Sequence, residues 1–471
     1  MGRSRNKITL IEKVEVIDIS SDGRGVGRHE DVVLFIEDAI PGDVVDVEIK
    51  RKRRKYREGR IVKHHTKSKL RVEPACEHFG VCGGCSWQHM NYEDQLVFKQ
   101  QTVANNLKKI GNITPNNVLP IVPADEIYMY RNKLEYTFSN SRWLTAEEIK
   151  SGGEIADNER NALGFHVPGR FDKVLHIENC HLQRDPSNAI RLATKAYVDE
   201  NKLAFFDIRK QKGFLRNMII RTTSTGEVMV VISFYRDYKT GIFGLLEHLK
   251  EQFDEITSLM YVINSKKNDT ITDLEVVSHI GPEHITEKIG KLKFRIGPKT
   301  FFQTNTIQAE NLFQTVLDFG QFTGKELVYD LYTGSGSIAN FIAPSVKEVV
   351  GLEYVPESIE DAVANSKLNK IKNASYFAGD IKDLLNKDFV KKNGVPDVII
   401  TDPPRPGMHK DVITRMLEIA PAKIIYVSCN SATQARDLAL LSGKYTVEKS
   451  QAVDMFPHTT HIENVTLLLR K

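Results

Sequence analysis

The stretch ELVYDLYTGSGSIANFIAPSVKEVVGLEY, Glu326 to Tyr354, decides the fold class. ELVYDL is apolar, bears β-branched and aromatic residues, and has the length of a buried strand. Gly334 and Gly336 break it at TGSGS, SIANFIAPSV has helical spacing, and EVVGLEY reads as a second strand. The rhythm continues through PESIEDAVANSKLNK, ASYFAGD, PDVIITDPP, KDVITRMLEIA, KIIYVSCNS and SATQARDLALLSG. Strands alternating with helices imply a parallel sheet covered on both faces, so 294–471 is expected to be a doubly wound α/β domain. YTVEKSQAVDMFP and IENVTLLLRK look like a strand pair that closes it.

At 471 residues and 41% hydrophobic content, the chain is long enough for two to four folded domains. Residues 1–69 carry short alternating runs, KITLIEKVEVIDI, DVVLFIEDAI, DVVDVEIKRKR and YREGRIVKHH, parted by glycines and a PGD turn. Such spacing suggests a five-stranded barrel of the oligonucleotide-binding kind. Residues 70–293 read as an α+β domain. It opens on a cysteine cluster and a long helix over about 92–111, placed to pack on the last domain. Its clearest hairpin is NMIIRTTSTGEVMVVISF, turning at Ser224 to Gly226, and its clearest polar loop is TAEEIKSGGEIADNER.

The net charge is +4, but Lys50 to Arg71 holds 12 basic residues against Glu58 alone. That run is about +11, which leaves about −7 for the rest of the chain. Clustered Arg and Lys gain affinity for a phosphate backbone by releasing its counterions, so nucleic acid is the expected partner. The basic start at Met1 to Asn6 is followed by an amphipathic run rather than an apolar signal core. No apolar run approaches the ~18 residues of a membrane helix, and a cytoplasmic protein is expected. Five cysteines without a secretory signal argue against a disulfide framework and for metal binding or catalysis.

In an open α/β sheet ligands bind at the carboxyl ends of the strands. Those ends carry Asp330 to Gly336, then Glu353, Asp380, Asp402 and Cys429. Glycines at 334 and 336 let backbone approach a ligand. Glu353 is placed for ribose hydroxyls and Asp380 for an adenine amino group. A single carboxylate at such a place is more simply a cap or a turn residue. Three at successive ends point to a nucleoside, and without a glycine-rich phosphate cradle S-adenosylmethionine fits better than a dinucleotide. Asp402, before Pro403 and Pro404, would present its carboxylate beside the transferred group.

With CEHFGVCGGC and a distant ENC, and with FFQTN, DLYTGSGS, DPPRPG, VSCNS and FPHTTHIEN, the chain resembles a known family along almost its whole length. This is the S-adenosylmethionine-dependent RNA uracil-5-methyltransferases, in their iron-sulfur form with a TRAM domain that acts on 23S ribosomal RNA. The resemblance implies a TRAM barrel, an iron-sulfur central domain and a Rossmann-like methyltransferase domain. It also implies a reaction. Carbon 5 of uracil is too weak a nucleophile to attack a methyl sulfonium, so a thiolate must first add at carbon 6. Cys429 is the cysteine left for that role, and the resemblance places the general base at Glu463. Asp402 would bond the uracil edge and stabilise the enolate. The cofactor site would comprise Gln303, Tyr332, Gly334, Gly336, Ser337, Glu353, Asp380 and Asp402. Two residues depart from the family pattern: Ser431 follows Ser-Cys-Asn where proline is usual, and Thr333 stands where cysteine is common.

Cys76, Cys82 and Cys85, with Cys180 as a fourth ligand, suit zinc or an iron-sulfur cluster. The resemblance implies [4Fe-4S]. A uracil in structured RNA must leave its stack to reach Cys429, and Arg131, Lys133 and Arg216 are candidates for contacting that RNA. The expected product is 5-methyluridine in 23S ribosomal RNA, made by a monomer. The alternatives are a transfer-RNA uracil-5-methyltransferase and, more remotely, a non-catalytic RNA-binding assembly factor.

Overall fold

The computed structural model describes residues 9–152 and 155–471. The basic start of the chain, 1–8, lies outside them. Alternation in the first segment produces β1 (Thr9–Ile19), β2 (Gly25–His29), β3 (Val32–Glu37), β4 (Val44–Lys52) and β5 (Tyr56–Thr66), which close into a barrel in the order β1-β2-β3-β5-β4. Ile11, Val14, Val16, Leu34, Ile36, Val45 and Val47 fill it. The basic run forms the β4–β5 hairpin, and Arg51 to Lys55 stand exposed at its tip.

After the cysteines, α1 (Tyr92–Gly111) and β6 (Asn117–Val122) leave the central region. Here the structure departs from a central domain running 70–293. Val103 and Leu107 of α1 share a core with the last domain, and β6 pairs in parallel with that domain's sheet. The central domain keeps β7 (Lys133–Ser139), β8 (Ala162–Val167), β9 (Arg170–His176), β10 (Leu215–Thr222), β11 (Val228–Phe234), β12 (Ile256–Ile263) and β13 (Val276–Ile280). They form one sheet in the order β13-β12-β11-β10-β7-β8-β9. The expected hairpin is β10–β11. Part of the polar loop is a short helix, α2 (Ala146–Ser151). Helices α3 (Ser187–Glu200) and α4 (Lys239–Gln252) cover one face of the sheet. On the other, Ile219, Met229, Val231, Met260 and Val262 join the core of the last domain.

A hairpin, β14 (Ile285–Ile289) and β15 (Leu292–Ile296), packs its apolar residues into that same core. The last domain thus starts before Phe294, because residue 294 lies within a strand whose partner precedes it. There follow α5 (Thr306–Gly320), β16 (Leu327–Leu331), α6 (Ser337–Ile342), β17 (Glu348–Glu353), α7 (Pro356–Leu368), β18 (Ala374–Ala378), α8 (Ile381–Leu384), α9 (Lys387–Asn393), β19 (Val398–Thr401), α10 (Lys410–Ile419), β20 (Lys423–Ser428), α11 (Ser431–Leu441), β21 (Tyr445–Val453) and β22 (Glu463–Arg470). The sheet order is β18-β17-β16-β19-β20-β22-β21-β6. From β18 to β20 the strands are parallel, and β22 and β21 form the closing antiparallel pair. The order reverses between β16 and β19, which is where such a sheet opens a crevice. Among the described residues no helix is long and apolar enough to cross a membrane.

Candidate active site

At the end of β16 the backbone turns through left-handed conformations at Tyr332 (φ 64°), Gly334 (55°) and Gly336 (75°). A Cβ on Gly336 would lie 2.9 Å from Asn340 Nδ2 and 3.0 Å from both Ala362 Cβ and the Tyr376 hydroxyl, so this cradle admits no side chain. Ser335 Oγ donates to the Phe301 carbonyl (3.4 Å) and lies 3.3 Å from Ser337 Oγ. The loop is thereby tied to the segment carrying Gln303. Glu353 takes Gly334 N–H on one oxygen (3.1 Å) and Val355 N–H on the other (3.0 Å), which fixes a carboxylate at the rim with lone pairs to spare. A nucleoside cofactor fits this donor set.

Asp380 follows β18 at the carboxyl edge of the sheet. It caps α8 by accepting Lys382 N–H (3.2 Å), and its second oxygen pairs with Lys382 Nζ (2.9 Å). Lys382 holds the carboxyl below its ordinary range. These local bonds leave each oxygen a further lone pair, as at Glu353, on a partly exposed carboxylate. Asp330, by contrast, is buried at the switch point, where it accepts the Thr333 hydroxyl (2.5 Å) and leaves its other oxygen without a partner. Burial pushes its carboxyl up to about 7. Thr333, one of the two departures, thus makes a hydrogen bond to the carboxyl beneath it.

Asp402 follows β19 and donates its N–H to the Leu331 carbonyl (3.3 Å), which places it against β16. Burial first, then the charge of Asp330, raises its carboxyl to about 7. The loop after it is moored to α11. Asn430 Nδ2 and Thr433 Oγ1 donate to the Arg405 carbonyl (3.2 and 3.0 Å), and Met408 N–H donates to the buried Asp437 (2.8 Å). Nothing in the sequence marks Asp437, because a polar residue on an amphipathic helix reads as solvent-facing.

Cys429 directly follows β20, whose last residue, Ser428, pairs with Asn464 of β22. The next residue on one strand and the preceding one on the other are Cys429 and Glu463, so the antiparallel register brings them together. Glu463 is 4% exposed. Burial, then the charge of Asp402, lifts its carboxyl well above the ordinary value. The Cys429 thiol is pushed up to about 11 by burial and then by Glu463 and Asp402, while Arg405 acts in the opposite sense. Thiol and carboxyls therefore share one electrostatic environment. Ser431, the second departure, opens α11 with Asn430 capping by accepting Ala432 N–H, and its hydroxyl accepts from Asn106 Nδ2 of α1 (2.8 Å).

Cys76, Cys82, Cys85 and Cys180 line one cavity of about 370 Å³ beside Arg131 and Lys133. Gly84 N–H donates to Cys82 Sγ (3.4 Å) and Gln88 Nε2 to Cys85 Sγ (3.2 Å). Among the described residues no three ligand side chains are gathered closely enough to hold a metal ion. Four thiols on one cavity, two of them already accepting hydrogen bonds, nevertheless form a donor set suited to an iron-sulfur cluster. Arg216 is a correction: it is 2% exposed, donates to the Asn264 carbonyl (2.9 Å) and pairs with Asp269 (2.6 Å), so it faces no RNA.

The sequence profile of the tRNA (uracil-5-)-methyltransferase family matches residues 209–471, and that of the TRAM domain matches 11–62. An uncharacterized RNA methyltransferase of Bacteroides thetaiotaomicron is 51% identical over 453 residues, covering 96% of this chain and 99% of its own. One from Porphyromonas gingivalis is 51% identical over 462 residues, covering 97% and 99%. The crystal structure of Pyrococcus abyssi tRNA (uracil-54, C5)-methyltransferase in complex with S-adenosyl-L-homocysteine aligns with a TM-score of 0.74 at 28% identity, over 97% of this chain and 100% of that one. With a family profile over more than half its length and relatives at 51% identity along nearly all of it, the chain belongs to the S-adenosylmethionine-dependent RNA uracil-5-methyltransferases.

Proposed function

We propose that this chain methylates carbon 5 of a specific uridine in 23S ribosomal RNA, as a cytoplasmic monomer, through a covalent bond between Cys429 Sγ and carbon 6. The observation that carries the reading is the meeting of one thiol with two carboxyls, Asp402 and Glu463, at adjoining strand ends. S-adenosylmethionine would supply the methyl group as a sulfonium, and Gln303, Tyr332, Gly334, Gly336, Ser337, Glu353, Asp380 and Asp402 would hold it. Cys429 adds as the thiolate and moves an electron pair toward the uracil O4. Asp402, carrying a proton near neutral pH, donates a hydrogen bond to that oxygen. Once carbon 5 is methylated, the Glu463 carboxylate removes its proton, and the returning electron pair expels Cys429.

Cys76, Cys82, Cys85 and Cys180 would hold a [4Fe-4S] cluster that ties 76–85 to Cys180 and serves folding or RNA positioning. The TRAM barrel and the four-cysteine cavity support ribosomal RNA. A second reading, transfer RNA, is favoured by the full-length likeness to the Pyrococcus abyssi transfer-RNA enzyme, since that likeness spans the barrel as well. Mass spectrometry of both RNAs from cells with and without the gene tests the choice. Loss of 5-methyluridine from 23S RNA supports the first reading, loss from transfer RNA alone supports the second, and loss from neither overturns both.

A further inference from the structure

The loop that delivers Glu463 is held by contacts that the chemistry does not use. Between β21 and β22 the chain runs from Asp454 to Ile462 outside any strand. At its middle His458 has φ 63°, a conformation that a residue with a side chain keeps only when its surroundings impose it. Ser86 and Trp87 both donate backbone N–H to the His458 carbonyl (2.8 and 3.0 Å), Gln95 Oε1 accepts its N–H (2.9 Å), and Tyr128 stacks on its ring at 4.4 Å.

Two residues on, the loop meets the barrel. Trp87, 2% exposed, donates its indole N–H to the Gly23 carbonyl in the β1–β2 turn (3.2 Å). Gly23 has φ 88°, and a Cβ there would lie 2.5 Å from Thr460 Cγ2 and 3.1 Å from Trp87 Nε1. The next residue, His461, sets its ring nitrogens 3.4 Å from the Arg405 guanidinium, in the loop that begins at Asp402.

We propose that Trp87 and Gly23 form a joint that sets the position of the catalytic loop, with Trp87 as a positioning residue and the barrel as its abutment. The inference rests on the reading of Glu463 as the base. Without strand pairing of its own, the loop is held by side chains at its start, where Lys99, Tyr130 and Asn305 bond the carbonyls of Phe456, Pro457 and Met455, and by Ser86, Trp87 and Gly23 from His458 to Thr460. A displacement of about 1 Å at reacting groups costs on the order of 100-fold in rate. The barrel then has two separable duties. Its exposed cations at Arg51 to Lys55 act on RNA affinity, while its β1–β2 turn acts on the chemical step.

The test uses the full chain with labelled S-adenosylmethionine and ribosomal and transfer RNA from cells lacking the gene. Variants are Gly23→Ala, Thr460→Ser, the double variant, and Trp87→Phe, with kcat, KM for RNA and melting temperature measured for each. Gly23→Ala is expected to lower kcat about tenfold or more, within the range a small misplacement produces, and to leave KM within about twofold. The Thr460→Ser change removes the methyl group that the new Cβ strikes, while the 3.1 Å approach to Trp87 and the φ of 88° remain, so the double variant should recover part of the lost kcat. Trp87→Phe keeps the ring, loses the N–H, and should lower kcat severalfold without moving KM. An unchanged kcat in Gly23→Ala, a loss that Thr460→Ser does nothing to reduce, or a change confined to KM overturns the joint. Undiminished turnover by Glu463→Gln, measured alongside, instead sinks the assignment of the base.

Discussion

Replacing Asp402 with Asn should change the slope of the pH profile of methyl transfer more informatively than its height. In the free enzyme the Cys429 thiol sits at about 11 and the Asp402 carboxyl at about 7. Thiolate therefore rises about tenfold per pH unit across the neutral range, while the acid form of Asp402 falls about tenfold per unit above 7. If the reaction needs both, the rate climbs with unit slope below pH 7 and flattens above it. Between pH 7 and 9 the protonated fraction of Asp402 drops from about one half to about one hundredth as thiolate grows about 100-fold, so the net change is about twofold. Asn cannot ionise. The variant should start lower, by about 100-fold or more for a weaker donor at the developing oxyanion, yet accelerate about 100-fold over the same interval. Losing the charge of residue 402 also removes one cause of the high Cys429 value, which raises the thiolate fraction at every pH and leaves the slope as it is. The assay is single-turnover transfer of labelled methyl to RNA, counting covalent adduct and free product together so that removal of the carbon 5 proton does not enter. A wild-type rate that keeps unit slope past pH 8, or a variant that flattens near 7, would refute a protonated Asp402.

Cys429→Ala should abolish methyl transfer and retain S-adenosylmethionine binding by calorimetry; surviving transfer would rule out the adduct. Glu463→Gln should accumulate a methylated protein–RNA adduct visible as a shifted band on a denaturing gel, because the carbon 5 proton stays in place, and the absence of that band would assign the base elsewhere. Lys99 and Asp454 are fully buried and 2.6 Å apart, so Lys99→Met leaves a charge without its cation and should cost about 3–5 kcal/mol in urea unfolding. Lys99→Met with Asp454→Leu should recover most of that loss, and a single variant as stable as wild type would show that the Tyr92 hydroxyl (2.9 Å) and the Phe456 N–H (3.2 Å) suffice for the carboxylate. Cys82→Ser should remove iron and acid-labile sulfide from protein purified without oxygen; an unchanged iron content would exclude Cys82 as a ligand.

Much of the architecture is legible because it is written in short-range periodicity. The barrel strands alternate, the last domain switches between strand and helix rhythm, and Cys429 falls at a strand end by its own neighbours. β6 is different. NVLPIV is short, holds a proline and lies at the sheet edge, and its partner is far along the chain in β21. Arg216 misleads for a related reason. The residue type suits an RNA contact, but whether a charge is available depends on what else bonds it, here Asp269 with the Asn264 carbonyl.

The sequence by itself determined the barrel, the α/β class of the last domain, and the presence of a thiol and acidic groups at successive strand ends. Spacing along the chain suffices for that, since strands and helices repeat locally. Only the tertiary structure decided which of those groups share a site and in what protonation state. Antiparallel pairing of β20 with β22 puts Glu463 against Cys429, and burial beside Asp330 raises the Asp402 carboxyl to about 7. Packing of the barrel turn, Trp87 and His458 makes one joint of three segments. Those facts depend on distance and dielectric, which are properties of the folded chain and have no period in the sequence.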